Sequence, residues 1–328
     1  MDRSGDVLIR VGGAGEVAVV GMDAAHLAAV ARRWGAELVE GEEHRGAPTH
    51  LLEVEAVDDR PLAPEPRRIP IRLVKASAVS GSEVSVGPHR VVLSNDEEPD
   101  RIRFSKRRMP SRLELELLVD FGVNHLLARQ GLPVLHSCSF ELGGVAVLGL
   151  GESFSGKTTV AVAAMRAGGR VVSDDAVLVV PEGERFAVLP VRSFGWLRGR
   201  TREIVPSELR HRMIENEENG RPRWVLEREA GGEAFVERAA PSVIWVQSID
   251  RRLKASRIEP IDQGQVFAAL VRGSSPLFLS RHCPEIRDQL IPMFRSLCAQ
   301  CRGYRVWLGR RLMDDPAGEI GRLVEASG

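Results

Sequence analysis

Residues 151–158, Gly-Glu-Ser-Phe-Ser-Gly-Lys-Thr, have the residue types and the spacing of a phosphate-binding loop. Glycines let backbone N–H groups turn toward phosphate oxygens, and the helix predicted to follow adds the positive end of its dipole. Lys157 supplies a positive charge for the β- and γ-phosphates, and the Thr158 hydroxyl is a ligand for Mg²⁺. The segment therefore predicts a nucleoside triphosphate site, which we assign to ATP with Mg²⁺. The residues expected to contact the nucleotide are Gly151, Glu152, Ser153, Phe154, Ser155, Gly156, Lys157, Thr158 and Thr159.

Two adjacent carboxylates, Asp174 and Asp175, follow in a segment that we predict to be a strand over residues 170–180. An aspartate on a strand beside a phosphate-binding loop commonly reaches Mg²⁺, directly or through water. Because neighbouring side chains on a strand point to opposite faces, the two carboxylates cannot do the same job. We expect one to hold the metal ion and the other to meet the substrate. The alternative is a solvated strand end.

A histidine, His136, lies within the apolar segment 134–140, which is also predicted to be a strand. Histidine is a common acid–base residue in enzymes. Within an apolar strand it can also be a core residue whose hydrogen bonds are satisfied. The residue alone leaves both interpretations open.

The elements that must position these residues are a helix predicted over 113–130 and an alternation of strands and a helix beyond it. The strands are predicted at 134–140, 145–150 and 170–180, and a helix at 157–166 separates the last two. A strand, a loop and a helix in this order are the context that a phosphate-binding loop requires. The order predicts an α/β fold with a mixed sheet.

The first hundred residues have a different, strand-rich pattern with one predicted helix at 22–34. The strands are predicted at 7–11, 16–20, 71–74, 83–86 and 91–93. A charged stretch at 95–108 marks a boundary. We therefore predict a smaller, strand-rich α+β domain over 1–108 and a P-loop catalytic domain over 109–328. A second charged stretch, 198–238, is expected to be a surface excursion or a mobile flap.

Together these residues resemble the catalytic domain of the HPr kinase/phosphorylase family. The resemblance is carried by His136, the glycine pair at 143–144, the loop at 151–158 and the segment 173–177, Ser-Asp-Asp-Ala-Val. It covers residues 131–180 closely and the rest of the chain to the C-terminus loosely. It implies a fold related to phosphoenolpyruvate carboxykinase and a kinase that phosphorylates a serine hydroxyl.

The resemblance also implies roles for single residues. Asp174 would be the general base that takes the proton of the acceptor hydroxyl. Thr158 and Asp175 would assist Mg²⁺, and His136 would lie close to the phosphates or to the acid pair. Arg192 matches an arginine in a downstream segment of the family, and the glutamate of that segment has no counterpart here. Divergent members of this superfamily include accessory kinases that modify the C-terminal residue of ribosomally made peptides in lasso-peptide pathways, and the N-terminal domain here fits that broader group better than a carbon-control kinase.

Composition limits the class of partner. The chain has 45 Lys and Arg residues and 45 Asp and Glu residues, so its formal net charge is zero. This charge gives no electrostatic reason to expect a nucleic-acid or membrane partner. No run of about 18 apolar residues predicts a membrane span, and the N-terminus does not have the pattern of a secretory signal. The four cysteines fit a reducing compartment. We therefore expect a cytoplasmic protein, and the oligomeric state, a homo-oligomer included, stays open.

The leading prediction is an ATP-dependent kinase that acts on a serine-type hydroxyl of a peptide or protein. The closest alternative is a kinase for a small molecule such as an amino acid. A regulatory module that hydrolyses or senses nucleotide is a different class, since it needs the loop but not the acid pair. A carboxykinase-like lyase ranks below these.

Overall fold

The structure is a computed structural model that describes residues 5–11, 15–22, 37–39, 50–57, 71–77, 81–86, 89–93, 100–105, 112–191, 196–197, 199–218, 221–274 and 284–328. Contacts divide the chain into two compact units. The first comprises Met1–Pro133 and Ser275–Leu290, and the second comprises Val134–Ser274 and Ile291–Gly328. Met22, the first residue of the predicted helix at 22–34, ends a strand, and the rest of that helix and the predicted catalytic residue Arg192 lie outside the described residues.

The first unit is built on a mixed sheet with the strand order β3-β1-β2-β4-β8-β7-β6-β5. The strands are β1 (Gly5–Val11), β2 (Gly15–Met22), β3 (Glu37–Val39), β4 (His50–Val57), β5 (Ile71–Ser77), β6 (Gly81–Val86), β7 (His89–Leu93) and β8 (Asp100–Ser105). All the strands predicted in this part of the sequence lie within this sheet. Strands β3, β4 and β8 were not predicted.

Helix α1 (Arg112–Arg129) covers β7 and β8 of this sheet. Its buried face includes Leu115, Leu118 and Leu126, as the apolar spacing predicts. The contact boundary therefore falls after Pro133, whereas the predicted boundary lies between residues 108 and 109. The division at 108/109 into separately folding domains stays a prediction.

The second unit is α/β, and its central sheet is mixed, as predicted, with the order β12-β10-β11-β18-β20-β19. Its strands are β9 (Val134–Leu135), β10 (Ser137–Leu142), β11 (Val145–Leu150), β12 (Arg170–Ser173), β13 (Val177–Glu182), β14 (Arg185–Pro190), β15 (Trp196–Leu197), β16 (Ile214–Glu218), β17 (Arg221–Val225), β18 (Val243–Ile249), β19 (Arg257–Pro260) and β20 (Arg302–Leu308). Strands β11, β18 and β20 run parallel, and the other neighbours are antiparallel.

The remaining helices are α2 (Lys157–Arg166), α3 (Ser207–Arg210), α4 (Arg228–Gly231), α5 (Gln263–Gly273), α6 (Pro284–Gln300), α7 (Arg311–Asp314) and α8 (Pro316–Ser327). Helices α2 and α8 pack together over apolar side chains of the central sheet. Phe140 and Trp245 meet there edge to face, with ring centroids 5.7 Å apart. The Trp245 indole donates to Ser327 Oγ at 3.3 Å, which fixes the end of α8 to the sheet.

The segments 134–140 and 170–180, each predicted as one strand, both break. Strands β10 and β12 pair in the central sheet, while β9 and β13 pair in a second sheet with β14. His136 lies at the first break, and residues 174–176 lie at the second. The prediction of single strands was wrong because apolar side chains occur on both sides of each break and suggest one continuous strand. The change of sheet is determined by pairing partners far away in the sequence.

The charged segment 198–238 is tied to the core by apolar side chains. Ile204, Leu209 and Leu226 are buried in the same cluster as Val160 of α2. A short 3₁₀ helix, Gly199–Ile204, lies against α2, and strands β15, β17 and β16 form a small sheet beyond it. The expectation of a surface excursion therefore holds for the charged side chains but not for this apolar base.

No helix among the described residues has both the length and the apolar character needed to cross a membrane.

A buried carboxylate on α8, Glu319, ties this helix to the end of β20. Its carboxylate accepts hydrogen bonds from the Ser256 backbone N–H and from Arg322, the latter at 3.0 Å. The hydroxyl of Ser256 in turn accepts a hydrogen bond from Gly309 N at 3.0 Å. Burial acts to raise the pKa of Glu319, but the hydrogen bonds from Arg322 and Ser256 outweigh it and hold this pKa below its usual range.

We expect Glu319→Gln to lower the free energy of unfolding at neutral pH by about 1–3 kcal/mol, because a buried network loses its charge. Since the folded-state pKa lies below the ordinary value of 4.5, the advantage of the wild type is present above that pH and shrinks as the pH falls through the folded-state value. Urea unfolding at several pH values measures it. The exposed Glu325→Gln on the same helix is the control, and equal losses in both variants would contradict the assignment.

Candidate active site

Three strand ends meet at one edge of the central sheet. Ser137, the first residue of β10, pairs with Leu150, the last residue of β11. Ser139 pairs with Ser173, the last residue of β12. The loop that follows β11, the residue that precedes β10 and the acids that follow β12 therefore emerge side by side. This register brings the predicted phosphate loop, His136 and the acid pair together.

The predicted phosphate loop, residues 151–158, depends on two glycines. Gly156, the N-cap of α2, has φ +94°, and a Cβ built on it would lie 2.6 Å from Leu308 Cδ1. A Cβ at Gly151 would collide with Ser155 Oγ and with the carbonyl oxygen of Gln247. Between them, the Ser155 N–H donates to the Glu152 carbonyl at 3.1 Å. The loop is thus a tight turn that leads directly into a helix N-terminus, as anion binding requires.

Lys157 is buried in this loop with only 6% of its surface exposed. Its ammonium donates to the carbonyl oxygens of Gly151 and Glu152, both at 2.9 Å. Burial lowers the pKa of Lys157, while the negative charges around it raise the pKa in the opposite direction. Because burial raises the pKa of the nearby Cys138 thiol to about 12, that thiol is neutral at physiological pH. The net direction is a lowered pKa, and the charges that oppose the effect of burial are therefore those of Asp175 and Asp174.

The two carboxylates lie in a bend and have different surroundings. Asp174 is buried, with 1% of its surface exposed, whereas the side chain of Asp175 is 35% exposed. The Ser173 hydroxyl accepts hydrogen bonds from the N–H groups of Asp175 at 3.4 Å and Ala176 at 3.3 Å, which stabilises the bend. The two acids therefore differ in exposure, and this bend rather than strand alternation accounts for the difference; their separate roles stay a prediction.

His136 contacts the exposed member of the acid pair. Its Nδ1 lies 3.2 Å from Asp175 Oδ1 and 3.0 Å from the Asp175 carbonyl oxygen. Its backbone N–H donates to the Gly273 carbonyl at the end of α5, at 2.9 Å. The imidazole is 41% exposed, so His136 is not a core histidine. Its place beside the acid pair is the one that the family resemblance implied.

Arg228, which no sequence pattern singles out, supports the strand that leads to the acid pair. Its guanidinium donates to the Val172 carbonyl at 2.5 Å and to the Val236 carbonyl at 2.8 Å. The N–H of Val236 donates to the Val171 carbonyl at 3.0 Å. Together these bonds hold the outer edge of β12 immediately before Asp174. No motif or spacing marks Arg228 among the many arginines of its charged segment.

The structure also places the remaining predicted nucleotide contacts. Glu152, Ser153 and Phe154 are exposed, while Thr158 and Thr159 are half-buried on the first turn of α2. The Thr159 hydroxyl lies 3.1 Å from the Thr201 hydroxyl, so it joins α2 to the 3₁₀ helix.

These residues fit a triphosphate with its magnesium ion. The loop supplies a backbone turn that side chains on its glycines would fill, a buried ammonium and a helix N-terminus. Proteins usually bind Mg²⁺ through one or two carboxylates together with substrate phosphates. Thr158, Asp174 and Asp175 provide a donor set of that type beside the loop.

No protein-family model matches this sequence, and no curated protein matches it. Among solved structures, the chain is similar to the Hpr(Ser) kinase/phosphatase from Coxiella burnetii. That overlay has a TM-score of 0.29 at 12% sequence identity and covers 60% of this chain and 99% of the other. At these values we transfer no residue role from that protein.

We expect Lys157→Ala to lower the affinity for ATP by about tenfold or more, because charge-assisted hydrogen bonds to phosphate are lost. The melting temperature should not fall, since burying the ammonium is itself costly. Calorimetric titration and thermal unfolding measure the two effects. The exposed Lys254→Ala is the control. Unchanged ATP affinity in Lys157→Ala would contradict the phosphate-loop assignment.

Proposed function

We propose that this protein is an ATP- and Mg²⁺-dependent kinase that transfers the γ-phosphoryl group to a serine-type hydroxyl of a peptide or protein. The observation that supports this most is the register that brings the acid pair and His136 to the sheet edge where the phosphate loop begins. A module that only binds nucleotide needs the phosphate loop but does not need carboxylates beside it. Carboxylates beside the loop add the groups that accept a proton from an acceptor and help to hold a metal ion.

Each residue would have one task. The loop and Lys157 orient the triphosphate, and the ammonium neutralises charge that develops on the transferred group. Thr158 and one carboxylate would hold Mg²⁺, which would neutralise negative charge on the phosphates. The other carboxylate accepts the proton of the acceptor hydroxyl as the hydroxyl oxygen attacks the γ-phosphorus, and the bond from that phosphorus to the bridging oxygen breaks, so that ADP leaves. Arg192 stays a predicted catalytic residue on the family resemblance alone.

The assignment of base and metal ligand within the acid pair has two versions. The family resemblance implies Asp174 as the base and Asp175 as the metal ligand. The exposure of the side chains favours the opposite assignment, with Asp175 as the base and Asp174 as the metal ligand. A base must touch the acceptor, and Asp175 is the exposed member of the pair. With its Nδ1 protonated, His136 donates to Asp175 and orients that carboxylate in either version.

The identity of the acceptor is the central test. Purified protein, ATP labelled in its γ-phosphate and a cell lysate should give label on serine residues of a peptide or protein, and Lys157→Ala should give none. Label on a free amino acid or another small molecule would support the alternative kinase. Label only in inorganic phosphate would support a nucleotide-hydrolysing module and contradict the kinase.

Replacing each acid separately assigns the roles. The variant that removes the base should keep its ATP affinity and lose turnover by ~10²-fold or more. The variant that removes the metal ligand should lose the part of its ATP affinity that depends on Mg²⁺. Turnover and ATP titrations with and without Mg²⁺, on Asp174→Asn and Asp175→Asn, separate the two. The exposed Asp288→Asn is the control. Full turnover in both acid variants would contradict a catalytic role for the pair.

A further inference from the structure

Two exposed hydrophobic side chains lie at the phosphate loop, one within it and the other beside it. Among the described residues, the large hydrophobic side chains that are exposed are Phe154 at 82%, Ile249 at 47% and Ile214 at 46%. Single exposed apolar residues are ordinary on protein surfaces. What requires an explanation is that Phe154 belongs to the loop itself and Ile249 packs against its last glycine.

Phe154 is also unusual in its backbone. With φ +67° it is the one residue other than glycine that has a positive φ in the part of the chain that the structure describes. A bulky side chain disfavours this conformation, and exposure of an aromatic ring to water is a further cost. A glycine or a polar residue at this position would avoid both costs. Backbone conformations of this kind concentrate at sites that clamp ligands.

Ile249 is placed beside the loop by the register of β18. Val246 of β18 pairs with Leu150, the last residue of β11, and β18 continues to Ile249. Its end therefore extends past the point where the phosphate loop begins. A Cβ built on Gly156 would lie 3.4 Å from Ile249 Cγ1 and 3.5 Å from Ile249 Cδ1. Ile249 thus borders the point where the loop enters α2.

The strand order separates the two ends of a bound nucleotide. Strands β10 and β12, with His136 and the acid pair at their ends, lie on one side of β11, and β18 and β20 lie on the other. The γ-phosphate must lie toward the acid pair, where the acceptor hydroxyl loses its proton. Because the nucleoside is at the opposite end of the triphosphate, it extends toward β18. Ligands of parallel sheets lie outside the carboxyl ends of the strands, which is where Ile249 lies.

We propose that Phe154 and Ile249 form the nucleobase site, in which the base stacks on the Phe154 ring and packs against Ile249. This inference rests on the proposed triphosphate site. Stacking uses the face of the base and reads none of its edges. The larger faces of adenine and guanine should therefore be preferred to pyrimidines, with little difference between the two purines.

Two ligands separate base binding from phosphate binding. The wild type should bind ATP more tightly than inorganic tripolyphosphate in the presence of Mg²⁺. Phe154→Ala should lower the affinity for ATP by roughly fivefold or more, the effect of losing a base–aromatic stack, and leave tripolyphosphate binding unchanged. Phe154→Gly should do the same, although it relaxes the backbone, and Phe154→Tyr should keep the affinity. Ile249→Ala should weaken ATP binding selectively, whereas Ile214→Ala, with almost the same exposure, should not.

Calorimetric titration of both ligands into each variant decides the matter. Equal affinity of the wild type for ATP and tripolyphosphate overturns the base site and leaves the phosphate site in place. Equal losses for the two ligands in the Phe154 variants also overturn it, because the ring would then support only the loop. A wild type that binds UTP or CTP as tightly as ATP contradicts the stacking preference. Failure to bind either ATP or tripolyphosphate overturns the proposed function together with the base site.

Discussion

The candidate site depends on two neighbouring segments that change sheets at the same register. Strands β9 and β10 run beside β13 and β12, and both segments bend where His136 faces Asp175. Backbone groups at such a bend lose their ladder partners and must find others. The His136 N–H does so at the Gly273 carbonyl, and the N–H groups of Asp175 and Ala176 do so at the Ser173 hydroxyl. These substitute bonds make the bend a defined structure that can hold side chains in place.

Charge is the second constraint on this corner. A carboxylate pair would repel the phosphates of the proposed nucleotide, so the proposed reaction needs positive charge near both. Lys157 provides positive charge beside the acids, and the acids in turn oppose the lowering of its pKa by burial. The two loop carbonyls that accept from Lys157 keep it within the loop. Loop, lysine and acids are therefore a single electrostatic unit, in which each charged group depends on the others.

The supporting structure reaches the site from both sides of β11. On the side of the acids, Arg228 and the segment around Val236 complete the edge of β12. On the other side, β18 and β20 bring Ile249 and Leu308 against Gly156. Apolar residues of the charged segment 198–238 pack with α2, so this segment contributes to the core that holds the loop helix. The two sides carry different chemistry, which is why the strand order gives a direction to the proposed nucleotide.

The sequence by itself determined the features whose cause is local. The phosphate loop lies within eight consecutive residues, and its glycines, lysine and helix start are recognisable because they act as neighbours in the chain. Helices α1 and α2 and strand β11 follow from apolar spacing in the same way. His136 and the acid pair were identified as candidates, but their contact joins residues 39 positions apart.

Only the tertiary structure decided what depends on distant partners. The two predicted strands break because each half pairs with a different sheet, and side-chain alternation does not register a change of partner. The bond from Arg228 to the Val172 carbonyl spans 56 positions, and a hydrogen bond to a backbone carbonyl selects no residue type at the accepting end. The assignment of α1 to the first unit likewise depends on which sheet covers its apolar face. Sequence patterns show that such a face must be buried, whereas three-dimensional packing decides which element covers it.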